Sequence, residues 1–173
     1  KMKYATSGKC GDNLTWSYGS GVLTISGTGA MYDYPVYDTP SSSQCMPWYN
    51  YKSAITTVNI AEGVTTIGAC AFWGCSSLTS VTTPATISTI GFGAFCDCSG
   101  LQQVTIKAGF VGESAFIRCT ALRTVTVGSG VTGFGISAFE NCPGLTGVYI
   151  SDLAAWCRID FGGYLSNPLY GAK

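Results

Sequence analysis

Nine cysteines and nine carboxylates are the side chains best equipped for chemistry in this 173-residue chain, and their spacing decides what chemistry that is. Histidine is absent, which removes Ser-His-Asp and Cys-His nucleophile–base pairs, imidazole metal ligation and imidazole pH switching together. The cysteines form no C-x-x-C pair, and Cys96 and Cys98 stand too close for a zinc knuckle. Cys75, Cys98, Cys119 and Cys142 each follow an Ala-Phe pair at the same spacing and read as small buried apolar side chains. Cys10 and Cys45 stand apart from that pattern, and either one disulfide or two free thiols fits them. Cys70, Cys96 and Cys157 carry no functional assignment. The carboxylates Asp12, Asp33, Asp38, Glu62, Asp97, Glu113, Glu140, Asp152 and Asp160 are scattered, whereas a glycosidase needs two facing each other across a cleft. Asp97 and Arg118 share a position in successive units, the arrangement of a surface ion pair worth about 0–1 kcal/mol. No nucleophile–base pair and no metal-ligand spacing is readable. The expectation is a protein that is not an enzyme and that uses no cofactor and no metal.

Composition sets the frame for those residues. Nine Lys and Arg balance nine Asp and Glu, so no basic field exists to draw in nucleic acid or anionic lipid. Charged residues are 10 % of the chain, against 18 Ser and 20 Thr, so the polar surface is built largely from hydroxyls. Apolar residues at 46 % are enough for a real core in one domain or a short repeat array. No apolar run approaches the roughly 18–20 residues of a membrane span. The opening Lys1-Met2-Lys3-Tyr4 has no apolar segment of a leader peptide, so any leader is expected to have been removed or never to have been part of this sequence.

The elements that position these side chains come from an internal repeat. Units begin at Ile55, Leu78, Leu101, Leu122 and Leu145, at spacings of 23, 23, 21 and 23 residues. The two residues missing from the third unit are assigned between Phe110 and Gly112. The pattern is L-x-x-V-x-I, then V-x-x-I-G, then A-F-x-x-C. Its first part is β-branched with period two, the mark of a short strand. Gly68, Gly91, Gly112 and Gly135 mark a turn or a close backbone approach. Ala, Phe and Cys of the last part fall on one side of a single helical or 3-10 turn. One unit cannot bury its own apolar face, but stacking at the strand spacing of about 4.8 Å makes a continuous core.

With those residues in place, the chain resembles the BspA-like leucine-rich repeat family of bacterial secreted and cell-surface proteins. The resemblance rests on Ala71-Phe72, Ala94-Phe95, Ala115-Phe116 and Ala138-Phe139 with their cysteines, and on the V-x-x-I-G segments. The flanks Cys10–Trp16, Leu23–Met31, Pro47–Tyr49 and Tyr149–Cys157 also match. It implies a right-handed curved solenoid with a parallel β-sheet on one face and short helical or 3-10 turns on the other. It also implies a secreted or cell-surface location.

Residues 1–54 are expected to form an N-terminal β cap with an aromatic loop, 55–150 the repeats, and 151–173 a C-terminal cap of a longer protein. Leu14, Trp16 and Tyr18 alternate, as do Leu23 and Ile25, around Gly19-Ser20-Gly21: a hairpin that covers the first rung. Ser151 or Asp152 can cap a short helix over Leu153-Ala154-Ala155-Trp156.

Two surfaces remain as binding candidates. Outward strand positions form the columns Thr57, Ser80, Gln103, Thr124, Gly147 and Asn59, Thr82, Thr105, Thr126, Tyr149. These uncharged columns are either a solvated Thr-rich sheet or a concave recognition surface. On the second reading Gln103, Thr105, Arg123, Thr126 and Tyr149 carry it, because binding energy concentrates in aromatic and Arg side chains. The cap aromatics, among them Tyr32, Tyr34, Tyr37, Trp48, Tyr49 and Tyr51, either pack over the first rung or stack on sugar rings, with Tyr34 and Trp48 as the glycan candidates. The favoured function is a monomeric, extracellular, non-catalytic adhesion module that contacts a protein of a host or neighbouring cell surface or the extracellular matrix. No nucleic acid and no membrane insertion is expected. The alternatives are a glycan-binding module and a spacer that displays another domain.

Overall fold

Each repeat folds as one rung with two strands, and the rungs stack in parallel into two strips of a single sheet. The computed structural model describes residues 4–35, 45–163 and 165–170. The strands are β1 (Ser7–Gly11), β2 (Leu14–Gly19), β3 (Val22–Gly27), β4 (Gly29–Ala30), β5 (Thr57–Ile60) and β6 (Val64–Ile67). They continue with β7 (Ser80–Thr82), β8 (Thr89–Ile90), β9 (Gln103–Val111), β10 (Thr124–Phe134), β11 (Gly147–Ile150) and β12 (Asp160–Phe161). The L-x-x-V-x-I segments, with β3 added from the N-terminal flank, make the strip β3-β5-β7-β9-β10-β11, and the V-x-x-I-G segments, with β4 and β12 added from the flanks, make β4-β6-β8-β9-β10-β12. Val58, Val81, Val104 and Val125 point inward in one column and are buried, as period-two burial requires.

The short third unit has a structural consequence and corrects the sequence alignment. Ile106 pairs with Val127 and Phe110 with Gly133, while the residues between them pair with a shift after Val127 and another after Val131. The two missing residues therefore fall between Ile106 and Phe110, not between Phe110 and Gly112. The loss removes the corner, so β9 runs through both strips. The extra residues of the fourth unit become two one-residue bulges in β10.

The A-F-x-x-C segments close each rung. They keep i→i+3 bonds, such as Trp73 N–H to Cys70 O and Cys75 N–H to Phe72 O, both at 3.2 Å, but they do not propagate as a helix. Two residues per turn are left-handed: Cys70, Gly93, Ser114 and Ser137 at one position, and Gly74, Asp97, Arg118 and Asn141 at the other, with φ between 54° and 70°. These residues break the helical run, because L-residues do not extend a left-handed helix. Alternate N–H groups then face the next rung: those of Cys70, Phe72 and Gly74 donate to Phe92, Ala94 and Cys96 carbonyls at 2.8–2.9 Å. The turns thus form a ladder of their own. Gly68, Gly91, Gly112 and Gly135 serve close approach rather than a turn. None has positive φ, and a Cβ on any of them would run into the backbone of the preceding rung or of the loop beneath it.

At the N-terminus the expected hairpin is present. β2 pairs with β3 across a two-residue Ser20-Gly21 turn whose φ values are 50° and 83°, and β1 adds a third antiparallel strand. β3 also begins the parallel strip, with Leu23 opposite Val58 and Ile25 opposite Ile60. β3, β4 and the segment around Trp48 thereby build a rung of their own: β3 and β4 supply the two strips, and Trp48 supplies the ring that stacks on Phe72. At the other end Asp152 caps helix α1 (Leu153–Trp156), its Oδ1 accepting the Ala155 N–H at 3.0 Å.

Candidate functional site

The open face of the first strip is one register-aligned surface. Across it, Ser80, Gln103, Thr124 and Gly147 lie in one row and Thr82, Thr105, Thr126 and Tyr149 in the next. The antiparallel cap extends the second row, because Thr24 sits opposite Asn59 and Ser17 opposite Thr24. Of the sequence candidates, Thr105, Thr126 and Tyr149 are direct neighbours on adjacent strands, and Gln103 is in the neighbouring row. Arg123 is exposed immediately before β10, and its carbonyl accepts the N–H groups of Thr146 and Gly147. Tyr149 is 61 % exposed, and its ring lies over Gly147, whose missing Cβ leaves the room. The face therefore runs as neutral hydroxyls and amides to an aromatic end.

The cap aromatics are placed otherwise than the glycan reading needs. Trp48 is fully buried, and Tyr34 is 8 % exposed. Trp48 stacks on Phe72 with centroids 5.7 Å apart, meets Trp16 and Tyr34 edge-on, and donates its indole N–H to the Ala71 carbonyl at 2.8 Å. A ring with no free face cannot stack on a sugar, so glycan recognition by Tyr34 and Trp48 is corrected to a structural role. The signal was available: Trp48 stands where the repeat places Phe. Tyr37 lies outside the described residues.

The cysteine column is equally structural. The S–H groups of Cys98, Cys119 and Cys142 donate to the carbonyls of Phe72, Phe95 and Phe116 of the preceding turn, at 3.1–3.2 Å. Burial pushes the Cys75 thiol up to about 12 and Cys142 to about 11, and it raises Cys98 and Cys119 as well. Cys10 is a buried free thiol, and burial pushes it up to about 11.

Two ion pairs stand on the described surface. Arg118 grips Asp97 through two bonds of 2.6 and 2.7 Å, and Trp73 donates its indole N–H to the same carboxylate at 3.0 Å. Those donors, the Arg118 guanidinium above all, hold the Asp97 carboxyl down to about 2. At the edge of the strand face, Lys107 lies 3.5 Å from Glu62, a pairing the sequence alone did not suggest because the two residues sit at different repeat positions. Among the described residues no group of three or more His, Cys, Asp or Glu side chains converges, and no helix is long and apolar enough to cross a membrane.

Comparison with known proteins agrees with this architecture. The BspA type leucine rich repeat region model matches residues 47–156 with six copies, beginning at the rung built around Trp48. Among solved structures, a leucine-rich repeat protein from Eubacterium ventriosum is 27 % identical, with a TM-score of 0.65 over 84 % of this chain and 44 % of its own. A leucine-rich cell surface protein from Faecalibacterium prausnitzii is 26 % identical, with a TM-score of 0.51 over 86 % of this chain and 43 % of its own. The chain thus spans less than half the length of either relative. No curated protein matches it. Stacked parallel rungs, the aromatic and cysteine columns and the matched repeats together establish that the chain belongs to the BspA-type leucine-rich repeat family.

Proposed function

We propose that this chain is a non-catalytic recognition module working outside the cell, and that it binds a protein of a cell surface or the extracellular matrix. The binding surface is the open face of β3, β5, β7, β9, β10 and β11. One observation carries the reading: a row of neutral side chains held in register, Thr82, Thr105 and Thr126, ends on the exposed Tyr149, and the exposed Arg123 immediately precedes β10. A regular, uncharged surface costs less to desolvate than a charged one. Aromatic and Arg side chains at its end supply the kind of anchor on which interface energy concentrates. The family and the cell-surface relative support the location.

The test is a binding screen of the purified chain against immobilised extracellular-matrix proteins, repeated with an Arg123→Ala/Tyr149→Ala variant. Binding that falls about tenfold or more in the folded variant supports the reading, since hot-spot truncations each cost about 2 kcal/mol or more. Binding unchanged in that variant moves the site elsewhere. Silence across the screen favours a spacer.

A further inference from the structure

We propose that the strand face holds a second, separate site: a polar hollow between β5 and β7 that takes one neutral sugar residue. Its origin is a defect in the ladder. β3 pairs with β5 at four positions, β7 with β9 at three and β10 with β11 at four, but β5 pairs with β7 only through Thr57 and Ser80. Pro84 explains the gap. In other rungs the residue at this step donates its N–H to the preceding rung: Ala61 to the Ile25 carbonyl at 3.0 Å, and Ser151 to the Val127 carbonyl at 3.1 Å. Proline has no N–H, so Pro84 cannot donate to the Ile60 carbonyl in the same way. One rung further, the Lys107 N–H goes to the buried Thr83 hydroxyl at 3.1 Å. The strip parts here and leaves a hollow of about 320 Å³, at the small end of ligand sites.

The groups around the hollow point to a polyol. Thr57, Asn59, Ser80 and Thr82 present hydroxyls and an amide, and half-buried Ile60 supplies a small apolar floor. Glu62 and Lys107 stand at the rim with opposite charges 3.5 Å apart, so the site as a whole is neutral. The Glu62 carboxylate is also held by the Ala85 N–H at 3.2 Å, which fixes an acceptor at the edge. Hydroxyls that donate and accept, a fixed acceptor and an ammonium donor match the mixed hydrogen bonding of sugar hydroxyls, which likewise donate and accept. An anionic ligand would meet Glu62, and an apolar one would leave these groups unpaired. Thr82 belongs also to the row read above as a protein-binding surface, but its anchors Arg123 and Tyr149 lie outside the hollow, so the two readings fail in different variants.

Saturation-transfer NMR on the purified chain tests it with D-glucose, D-galactose, D-mannose and L-fucose, and with N-acetylneuraminic acid and N-acetyl-asparaginamide as contrasts. At least one neutral hexose should receive saturation. Its affinity should fall about tenfold in Asn59→Ala/Thr82→Val, the loss expected of one or two hydrogen bonds. Pro84→Ala should weaken it as well, because the new N–H restores the donor for the Ile60 carbonyl and closes the strip. Thr132→Val, exposed on β10 away from the hollow, should leave it unchanged. Circular dichroism and thermal melts establish that each variant is folded. Transfer to none of the neutral sugars overturns the proposal, as does transfer that survives the double variant. Preferential binding of N-acetylneuraminic acid overturns it too, and binding of the asparaginamide alone assigns the hollow to a protein side chain instead.

Discussion

The left-handed residues are where single side chains matter most for this fold. Each turn needs two, and glycine fills the place only at Gly93 and Gly74, whereas Ser114 and Ser137 hold φ of 56° and 58° with a Cβ. A non-glycine residue there costs roughly 1–2 kcal/mol, partly offset by the larger entropy glycine loses on folding. Ser114→Gly should therefore raise stability by about 0.5–1 kcal/mol in a denaturant melt; a loss of stability would show that the serine has a role beyond the backbone. Asp97 gives a pH prediction of definite sign. Its folded carboxyl titrates near 2, below its ordinary value of 3.8. Its contribution is complete above pH about 4 and is lost as pH falls toward 2. Both partners are more than one-third exposed, so screening limits the gain to about 1 kcal/mol or less. NMR titration should find the Asp97 carboxyl rising toward the usual range in Arg118→Gln, and an unchanged midpoint would assign the depression to Trp73. The thiols divide by burial: Cys157 is exposed and should react with a thiol reagent in the folded chain, while Cys75, Cys98, Cys119 and Cys142 should react only after denaturation.

At the scale of the element, the turn ladder and its ring stack hold the rungs together. Trp48, Phe72, Phe95, Phe116 and Phe139 stack face to face with centroids 5.0–5.7 Å apart, close to the strand spacing. Phe95→Ala or Phe116→Ala removes a fully buried ring with stacked neighbours on both sides and should cost about 3–5 kcal/mol in a denaturant melt. Phe139, at the end of the stack and 6 % exposed, should cost less. A cost under 1 kcal/mol for both central rings would overturn this account of the core. These elements were legible because the repeat writes the same side chain into the same place several times. Period-two strands, the Phe and Cys columns, the Ser20-Gly21 hairpin and the Asp152 cap all follow from residue type and spacing. The rung around Trp48 was less legible, because the sequence between β4 and Trp48 carries none of the repeat pattern and tryptophan replaces the column phenylalanine. The parting of β5 from β7 was illegible for another reason: it depends on which N–H meets which carbonyl between rungs, and Pro84 shows its effect only once register is fixed.

Over the whole molecule, stability should follow the continuity of the ladder. β9 and β10 pair through both strips at eight positions, whereas β5 and β7 share one, and β1 and β12 are bonded on one side only. A solenoid is stabilised chiefly by contacts between neighbouring rungs, so a rung with two well-paired neighbours opens last. The short third unit thus has a mechanical role. By removing the corner in β9, it fuses the two strips into one strand in the middle of the chain. Amides in β9 and β10 should be the slowest to exchange with deuterium, those of β1 and β12 the fastest, and those of β5 intermediate because one of its two sides is open. Restoring two residues between Ile106 and Phe110, copied from the second unit, should recreate the corner and speed exchange in the centre while leaving the turn ladder protected. Exchange that is uniform along the chain, or slowest in the antiparallel cap, would show that the cap rather than the central rungs anchors the fold.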